Sequence, residues 1–209
     1  MNSDLNHIPL TQNYFAAANS ADGFSNRFDS IFTGLNRLYI IKGGPGTGKS
    51  RLMQSVAEEA SKRGMLSECF YCSSDPSSLD GVLIPAMSLG ILDGTSPHCC
   101  DPKYPGAYDQ IINLGDFWKT DRLVEKKKEI LEKTDLKAKL FVRVYHYLSA
   151  AGMIDHEIQR TIEEALLLDK MKAAVGRIFR DIRPQNDPSV SIRLCDAISM
   201  DGPVHFSTF

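Results

Sequence analysis

The chain has 209 residues, 43% of them hydrophobic and 24% charged, which is an ordinary composition for a folded globular protein. A formal net charge of −2 argues against bulk attraction to nucleic acid, and no apolar run approaches the ~20 residues of a membrane helix. Five cysteines, an odd number, and an N-terminus without the basic and apolar regions of a secretory signal predict a reducing, cytoplasmic environment.

The first third of the chain indicates a strand followed by a helix. Residues 1–36 are polar and are predicted to be mostly loop, although Phe28 and Phe32 are spaced to share one helix face. Residues 37–42 form a short apolar run that ends at two glycines, as a buried strand entering a tight turn does. An amphipathic helix is predicted from Lys49 to about residue 63, because apolar residues recur there at four-residue spacing.

Two further strands are predicted downstream of this helix. Residues 69–72 read as the second strand, residues 73–80 as a polar loop, and residues 87–92 as the third strand. This order is typical of an α/β fold with a mostly parallel sheet flanked by helices. The fold class predicted is therefore α/β, with a mostly parallel sheet flanked by helices and a helical sub-domain inserted.

The character of the chain changes near residue 119, after which Gly and Pro are scarce and charge is dense. Residues 120–183 are predicted to be a helical hairpin hinged near Gly152, in which residues 141–148 are helix despite their β-branched and aromatic content. This divides the chain into a core (1–119), a helical sub-domain (120–183) and a return to the core (184–209). Two apolar stripes mark the helices: Leu136, Leu140, Val144 and Tyr147, then Ile158, Ile162, Ala165 and Leu166.

The C-terminal segment returns to β character at residues 191–199, with a turn predicted at residues 201–203. Asp201-Gly202, followed by Phe206 and Phe209, weakly echoes Asp22-Gly23, followed by Phe28 and Phe32. The echo is too short to establish a repeat by itself.

The strongest chemical signal is a match to the phosphate-binding motif G-x-x-x-x-G-K-[ST] between the first strand and its helix. In such a motif, backbone N–H groups surround phosphate oxygens, the helix N-terminus favours the anion, Lys49 contacts the β- and γ-phosphates and Ser50 binds Mg²⁺. Arg51 is a marginal member, because it should point along the helix. The predicted nucleotide-binding residues are Gly43, Gly44, Pro45, Gly46, Thr47, Gly48, Lys49, Ser50 and Arg51.

A nucleotide site of this kind also needs a carboxylate on the Mg²⁺ side. Asp93 follows an apolar strand and is the predicted residue, with Ser50 as the other metal ligand. The catalytic base is open, because Gly94 stands where many ATP-hydrolysing motors have Glu. Asp80 and His98 are the weaker catalytic candidates, and Asp75, Thr95 and Ser96 are alternatives with an equally good interpretation as turn residues.

Other motifs are weaker. The nearest match to the guanine-recognition pattern N-K-x-D lies at residues 132–135 within a charged helical stretch, which argues against a GTPase. Residues 126–128 are lysines among glutamates, and a solvated helix face explains them better than a nucleic-acid patch does. Structural zinc is disfavoured, because Cys69 and Cys72 would face opposite sides of a strand and Cys99-Cys100 lacks the usual ligand spacing.

Taken together, residues 39–50, 74–81, 93–98, 101–106 and 112–116 resemble a little-characterised bacterial P-loop ATPase family built from two tandem P-loop units. The resemblance covers the chain from about residue 15 onward and implies ATP and Mg²⁺ binding and an ATPase activity, without a pathway. This chain has one phosphate motif, so it is expected to correspond to the first unit. A second P-loop unit, or a homo-oligomer, is then the expected partner.

Three functions are compatible with these residues. The leading one is a Mg²⁺-dependent ATPase that couples hydrolysis to movement of the helical sub-domain. The second is a small-molecule kinase, for which the helical insertion and residues 101–118 would form the acceptor site and lid. The third is a module that binds nucleotide without hydrolysing it.

Overall fold

The computed structural model describes residues 10–96, 99–181 and 192–207. These residues form ten strands and five α-helices: β1 (Thr11–Phe15), β2 (Ala17–Ser20), β3 (Gly23–Asn26), α1 (Phe28–Ile31), β4 (Arg37–Lys42), α2 (Lys49–Lys62), β5 (Ser67–Tyr71), β6 (Leu79–Ile84), β7 (Leu89–Asp93), β8 (Asp109–Asn113), α3 (Thr120–Glu125), α4 (Lys127–Ala165), α5 (Leu168–Asp181), β9 (Asp196–Ser199) and β10 (Gly202–His205).

Six strands form the central sheet in the order β1-β5-β6-β7-β4-β8. The pairs β1–β5, β4–β7 and β4–β8 are parallel, whereas β6 runs antiparallel to both of its neighbours. Five of the six strands therefore point the same way. This confirms the predicted α/β class with a mostly parallel sheet flanked by helices, an architecture compatible with a Rossmann-like fold.

Both faces of the sheet are covered by apolar residues. On one face, Met53, Ala57 and Ala60 of α2 pack against sheet residues that include Ile41 and Val82. On the other face, the described part of the N-terminal segment contributes aromatic side chains, which pack on the sheet residues Ile40, Phe70 and Leu92. The predicted pairing of Phe28 with Phe32 is confirmed, because both are buried there and their rings stack 5.9 Å apart.

Three strand predictions were wrong or incomplete. The described residues before position 37 are not mostly loop, because they contain β1, β2 and β3. The loop predicted to run to residue 80 ends earlier, since β6 begins at Leu79 and lies fully buried between two strands. The sequence also did not predict β8, an edge strand whose Gln110 and Ile111 are exposed.

The helical region differs from the predicted hairpin. Residues 141–148 are helical as predicted, but α4 continues through Gly152 for 39 residues, a length of about 58 Å. It ends at Leu166, whose backbone is extended. Gly152 is instead a contact point, since a Cβ there would lie 2.3 Å from the Cβ of Ala21. The hydroxyl of Tyr145 also donates to Asn19 Oδ1 at 2.8 Å, so this part of α4 is fixed to the β2–β3 hairpin.

The echo between the two ends of the sequence corresponds to two matching antiparallel hairpins, β2–β3 and β9–β10. Ser20 Oγ donates to Gly23 O and Ser199 Oγ donates to Gly202 O, each at 3.0 Å. Both glycines have φ near +100°, which favours glycine. The second turn lies at residues 200–201, slightly before its predicted position, and Phe209 is outside the described residues.

Within the described ranges, no helix is both long enough and apolar enough to cross a lipid bilayer.

Candidate functional site

The glycine-rich loop, residues 43–48, connects β4 to α2 as the motif requires. Gly46 and Gly48 have φ of +76° and +86°, and Gly48 is the N-cap of α2. At Gly43 space is the constraint, because a Cβ would lie 2.8 Å from Thr47 Oγ1 and 3.2 Å from the Cβ of Leu114. The loop therefore needs glycine at its tip for backbone conformation and at its start for close packing.

Lys49 lies folded over this loop. Its Nζ donates to Gly43 O at 2.8 Å and to Gly44 O at 2.9 Å, and it lies 3.4 Å from Asp93 Oδ2. Both side chains of this ion pair are mostly buried, with 13% and 14% of their surface exposed. The structure thus brings together the two residues that the sequence ranked highest, and it places a cation within the curve of the loop.

Asp93 is positioned by the strand next to the loop. It ends β7, where it lies in register with Ile41 of β4, the strand that leads into the loop. Its Oδ1 accepts hydrogen bonds from the backbone N–H of Thr95, at 2.9 Å, and from the Thr95 hydroxyl. Thr95 thereby holds one carboxylate oxygen and leaves the other facing Lys49.

Gly94 shows why the usual glutamate is missing after this aspartate. A Cβ at Gly94 would lie 2.4 Å from Ile40 Cγ2 and 3.0 Å from Cys100 O. The backbone packs too closely there for any side chain. A catalytic base at that position is incompatible with the close approach of Ile40 and Cys100 to Gly94.

Asp80 lies at the same end of the sheet as Asp93, and the sequence did not predict this position because β6 was not predicted. It lies near the start of the antiparallel strand β6 and is 7% exposed. Gly81 pairs with Leu92, so Asp80 and Asp93 each lie one residue beyond that pair on neighbouring strands. The sheet register therefore places Asp80 next to Asp93, the partner of Lys49.

The thiol of Cys72 is the close neighbour of Asp80. Burial raises the pKa of Cys72 to about 11, and the negative charge of Asp80 and a hydrogen bond to it contribute to the increase. At neutral pH this thiol is therefore protonated, and it is a weak nucleophile and a poor metal ligand.

Ser50 begins the first turn of α2, and its Oγ accepts a hydrogen bond from Leu79 N at 2.9 Å. A hydroxyl oxygen has two lone pairs, so one remains suited to a cation. The described residues contain no group of three or more His, Cys, Asp or Glu side chains that could hold a metal. Mg²⁺ at a nucleotide needs fewer protein ligands, because water and phosphate complete its shell, and Ser50 with Asp93 fits that requirement.

The remaining predicted residues stabilise the loop, lie exposed, cap a turn or fall outside the described residues. Thr47 Oγ1 donates to Gly44 O at 2.8 Å and stabilises the loop, while Pro45 is exposed at its tip. Arg51 is exposed on α2, and Asp75 caps a turn by accepting from Ser77. His98 is outside the described residues.

One residue near the loop was not assigned a role from the sequence. Lys42, the last residue of β4, donates to Gly94 O at 2.8 Å, Cys100 O at 2.7 Å and Asp101 Oδ1 at 2.9 Å. It fixes the segment after Asp93 to the strand that enters the loop. In the sequence, Lys42 is a lysine at the end of an apolar strand. The sequence alone does not distinguish such a bonded lysine from a solvent-exposed lysine.

Trp118, the only tryptophan of the chain, ends the segment 101–118 that the kinase hypothesis assigned to an acceptor site and lid. A Cβ on Gly44 would lie 3.3 Å from its Cζ2, and 44% of Trp118 is exposed. Its ring therefore lies against the loop and not in the core. Because β8 was not predicted, the contact of Trp118 with the loop was not predicted either.

Comparison of the chain with protein-family models, with curated proteins and with solved structures found no match.

Proposed function

We propose that this chain is a P-loop NTPase that binds Mg²⁺-ATP at residues 43–50 and hydrolyses it. The observation that carries the proposal is the convergence of Lys49 and Asp93 at a glycine-rich strand–helix connection. Lys49, at the start of α2, and Asp93, at the end of β7, come from different parts of the chain and meet at the carboxyl end of parallel strands, where α/β proteins bind ligands. The five free cysteines fit a reducing compartment such as the cytoplasm.

Each residue has a definite part in this proposal. The N–H groups of the loop and the N-terminus of α2 surround the β-phosphate, and Lys49 exchanges its bonds to Gly43 and Gly44 for bonds to phosphate oxygens. Ser50 binds Mg²⁺ directly. Asp93, held by Thr95, would hold water molecules of the metal shell, and Asp80, beside it on the neighbouring strand, is the candidate to orient the attacking water.

A non-hydrolysing nucleotide module is the second candidate, and the packing around Gly94 favours it. No side chain fits at Gly94, so the glutamate that polarises water in many ATP-hydrolysing motors has no place here. We therefore expect the chain alone to hydrolyse ATP far more slowly than the ~10 s⁻¹ of a typical complete enzyme. A second P-loop unit would supply the missing groups.

The test is product analysis after incubation with Mg²⁺-ATP, for the natural chain and for Lys49→Ala, with Lys62→Ala as the control on the exposed end of α2. Slow release of free phosphate that is lost in Lys49→Ala and kept in Lys62→Ala supports the ATPase. Phosphate found on an added metabolite would indicate a kinase, and bound ATP without turnover a binding module. Equal turnover in Lys49→Ala and the natural chain would contradict the assignment of the site.

A further inference from the structure

The longest helix of the protein carries an apolar stripe that nothing in the described structure covers. Along α4, apolar residues recur at intervals of three or four, so they lie on one side of the helix. The seven large ones are between 42% and 68% exposed. We call this set the α4 stripe: Leu136, Leu140, Val144, Tyr147, Ala151, Ile154, Ile158, Ile162 and Ala165.

The α4 stripe is distinct from the side of the helix that contacts the rest of the protein. Phe141, Tyr145, Leu148 and Gly152 are the half-buried residues of this part of α4. They lie about 100° around the helix from the stripe. A helix packed on the stripe would therefore leave the contacts of Tyr145 with Asn19, and of Gly152 with Ala21, in place.

The charges of α4 are divided between its two halves. Residues 127–146 contain six Lys or Arg and three Asp or Glu, a net charge of +3. Residues 147–165 contain four Asp or Glu and one Arg, a net charge of −3. The helix is thus complementary to an antiparallel copy of itself, while a parallel copy would set like charges side by side.

The spacing of the stripe has the same antiparallel symmetry. Turning the helix end for end about Ala151 places Leu140 opposite Ile162 and Val144 opposite Ile158. It brings Leu136 and Tyr147 within one residue of the positions opposite Ala165 and Ile154. The small residue Ala151 then meets its own copy at the centre, where two helices approach most closely. The same register brings Arg143 near Glu157 of the second copy.

The apolar area is sufficient for a stable pair. Burying a large aliphatic side chain removes roughly 90 Å² from water, the area that corresponds to about 2 kcal/mol. Seven such side chains on each copy give about 1,250 Å² in total, which lies within the range of specific protein interfaces.

We propose that α4 is a homodimerisation helix, and that two copies of this chain pair their α4 stripes in antiparallel orientation. The inference does not depend on nucleotide binding. An unrelated partner protein, or α5 of the same chain folded onto the stripe, would be the alternative occupants.

Sedimentation velocity between about 1 and 100 µM tests the proposal. The natural chain should shift from monomer to dimer with concentration. Leu140→Glu and Ile158→Glu should each stay monomeric, whereas Val142→Glu, a similarly exposed position on the opposite side of α4, should dimerise like the natural chain. A chain that is monomeric throughout this range overturns the proposal, as does a dimer that Val142→Glu weakens as much as Leu140→Glu does.

Charge exchange tests the orientation. Arg143→Glu and Glu157→Arg should each weaken the dimer at least several-fold, because like charges then face each other. An equimolar mixture of the two variants should restore dimerisation, since each charge then meets its opposite on the other copy. Circular dichroism of each variant verifies the fold. A mixture no tighter than the single variants would refute the antiparallel arrangement.

Discussion

At the scale of single residues, the site depends on Asp93, whose two carboxylate oxygens have different partners. Asp93 Oδ1 is held by Thr95, and Asp93 Oδ2 faces Lys49 at 3.4 Å. The first contact fixes the orientation of the side chain, and the second fixes the cation. An asparagine at position 93 would keep the acceptor for Thr95 and lose the negative charge, so this substitution separates the two roles.

We predict that Asp93→Asn retains most of its ATP affinity and loses Mg²⁺-dependent turnover by ~10–100-fold, the usual effect of removing a group that acts through a metal's outer shell. Asp75→Asn, which changes a turn-capping carboxylate near the site, is the control and should retain its rate. The measurement is phosphate release over a Mg²⁺ titration. Turnover by Asp93→Asn at the rate of the natural chain would transfer the metal role to another carboxylate, with Asp80 on the neighbouring strand as the first candidate.

A second prediction at this scale concerns alkaline pH. Burial raises the pKa of Cys69 from 9.0 to about 11. Above pH 9 the thiol therefore ionises in the unfolded chain while it stays protonated in the folded one. Its contribution to stability is complete below pH 9 and is lost as the pH rises toward 11, at about 1.4 kcal/mol per pH unit.

Denaturant unfolding of the reduced protein at pH 7 and pH 10 measures this effect. Cys69→Ala should lose about 1 kcal/mol less than the natural chain between these pH values. Cys99→Ala, at an exposed position, should lose as much as the natural chain. Identical losses in all three proteins would show that Cys69 does not govern the alkaline response.

At the scale of elements, α4 contains a glycine that intrinsic propensity does not explain. Replacing glycine by alanine within a helix ordinarily stabilises it by about 1 kcal/mol. Gly152 is an exception, because a Cβ there would overlap the Cβ of Ala21 at the turn of the β2–β3 hairpin. Gly176 in α5 has no atom within 4 Å of the same position and is the matched control.

We predict opposite signs for the two substitutions. Gly176→Ala should raise the melting temperature or leave it unchanged. Gly152→Ala should lower it, with a loss of about 1–3 kcal/mol from overpacking. Differential scanning calorimetry of both variants checks the prediction. A stabilised Gly152→Ala would mean that α4 does not rest on this hairpin.

Elements with strong local patterns could be predicted from the sequence, and those defined by their neighbours could not. The buried run of β4, the glycines after it and the amphipathic spacing of α2 are local signals, so the strand–loop–helix unit was correct. In β6 an Asp-Gly pair interrupts the apolar run, and β1 and β8 are edge strands with polar residues. Their pairing partners alone make them strands, which is a property of the fold.

The same distinction applies to the site and to the helical region. Lys49 and Asp93 follow from motif and strand order, and the structure brings them together. Trp118 lies against Gly44 because the unpredicted strand β8 leads the chain back to the loop. Asp80 lies beside Asp93 because β6 runs antiparallel to β7. The hinge predicted at Gly152 was wrong, because the low helix propensity of glycine was interpreted as a break in the helix. A helix tolerates a glycine where a neighbouring segment approaches closely.

At the scale of the whole molecule, the six-stranded sheet holds the glycine-rich loop at the carboxyl end of β4. The same chain also forms a 39-residue helix, α4. Tyr145 and Gly152 fix that helix to the β2–β3 hairpin, whose strand β2 follows β1 after a single residue. The candidate site and the α4 stripe therefore lie on separate parts of one structure. Nucleotide binding and pairing of copies can be tested independently.

The central claim is that residues 43–50 bind Mg²⁺-ATP, and isothermal titration calorimetry of the natural chain and of Lys49→Ala tests it most directly. The account predicts saturable binding of one ATP per chain in the presence of Mg²⁺. It also predicts affinity at least ~100-fold weaker in Lys49→Ala, because removing one partner of a buried charge contact typically costs about 3 kcal/mol. Absence of binding to the natural chain, or equal affinity in the two proteins, would contradict it.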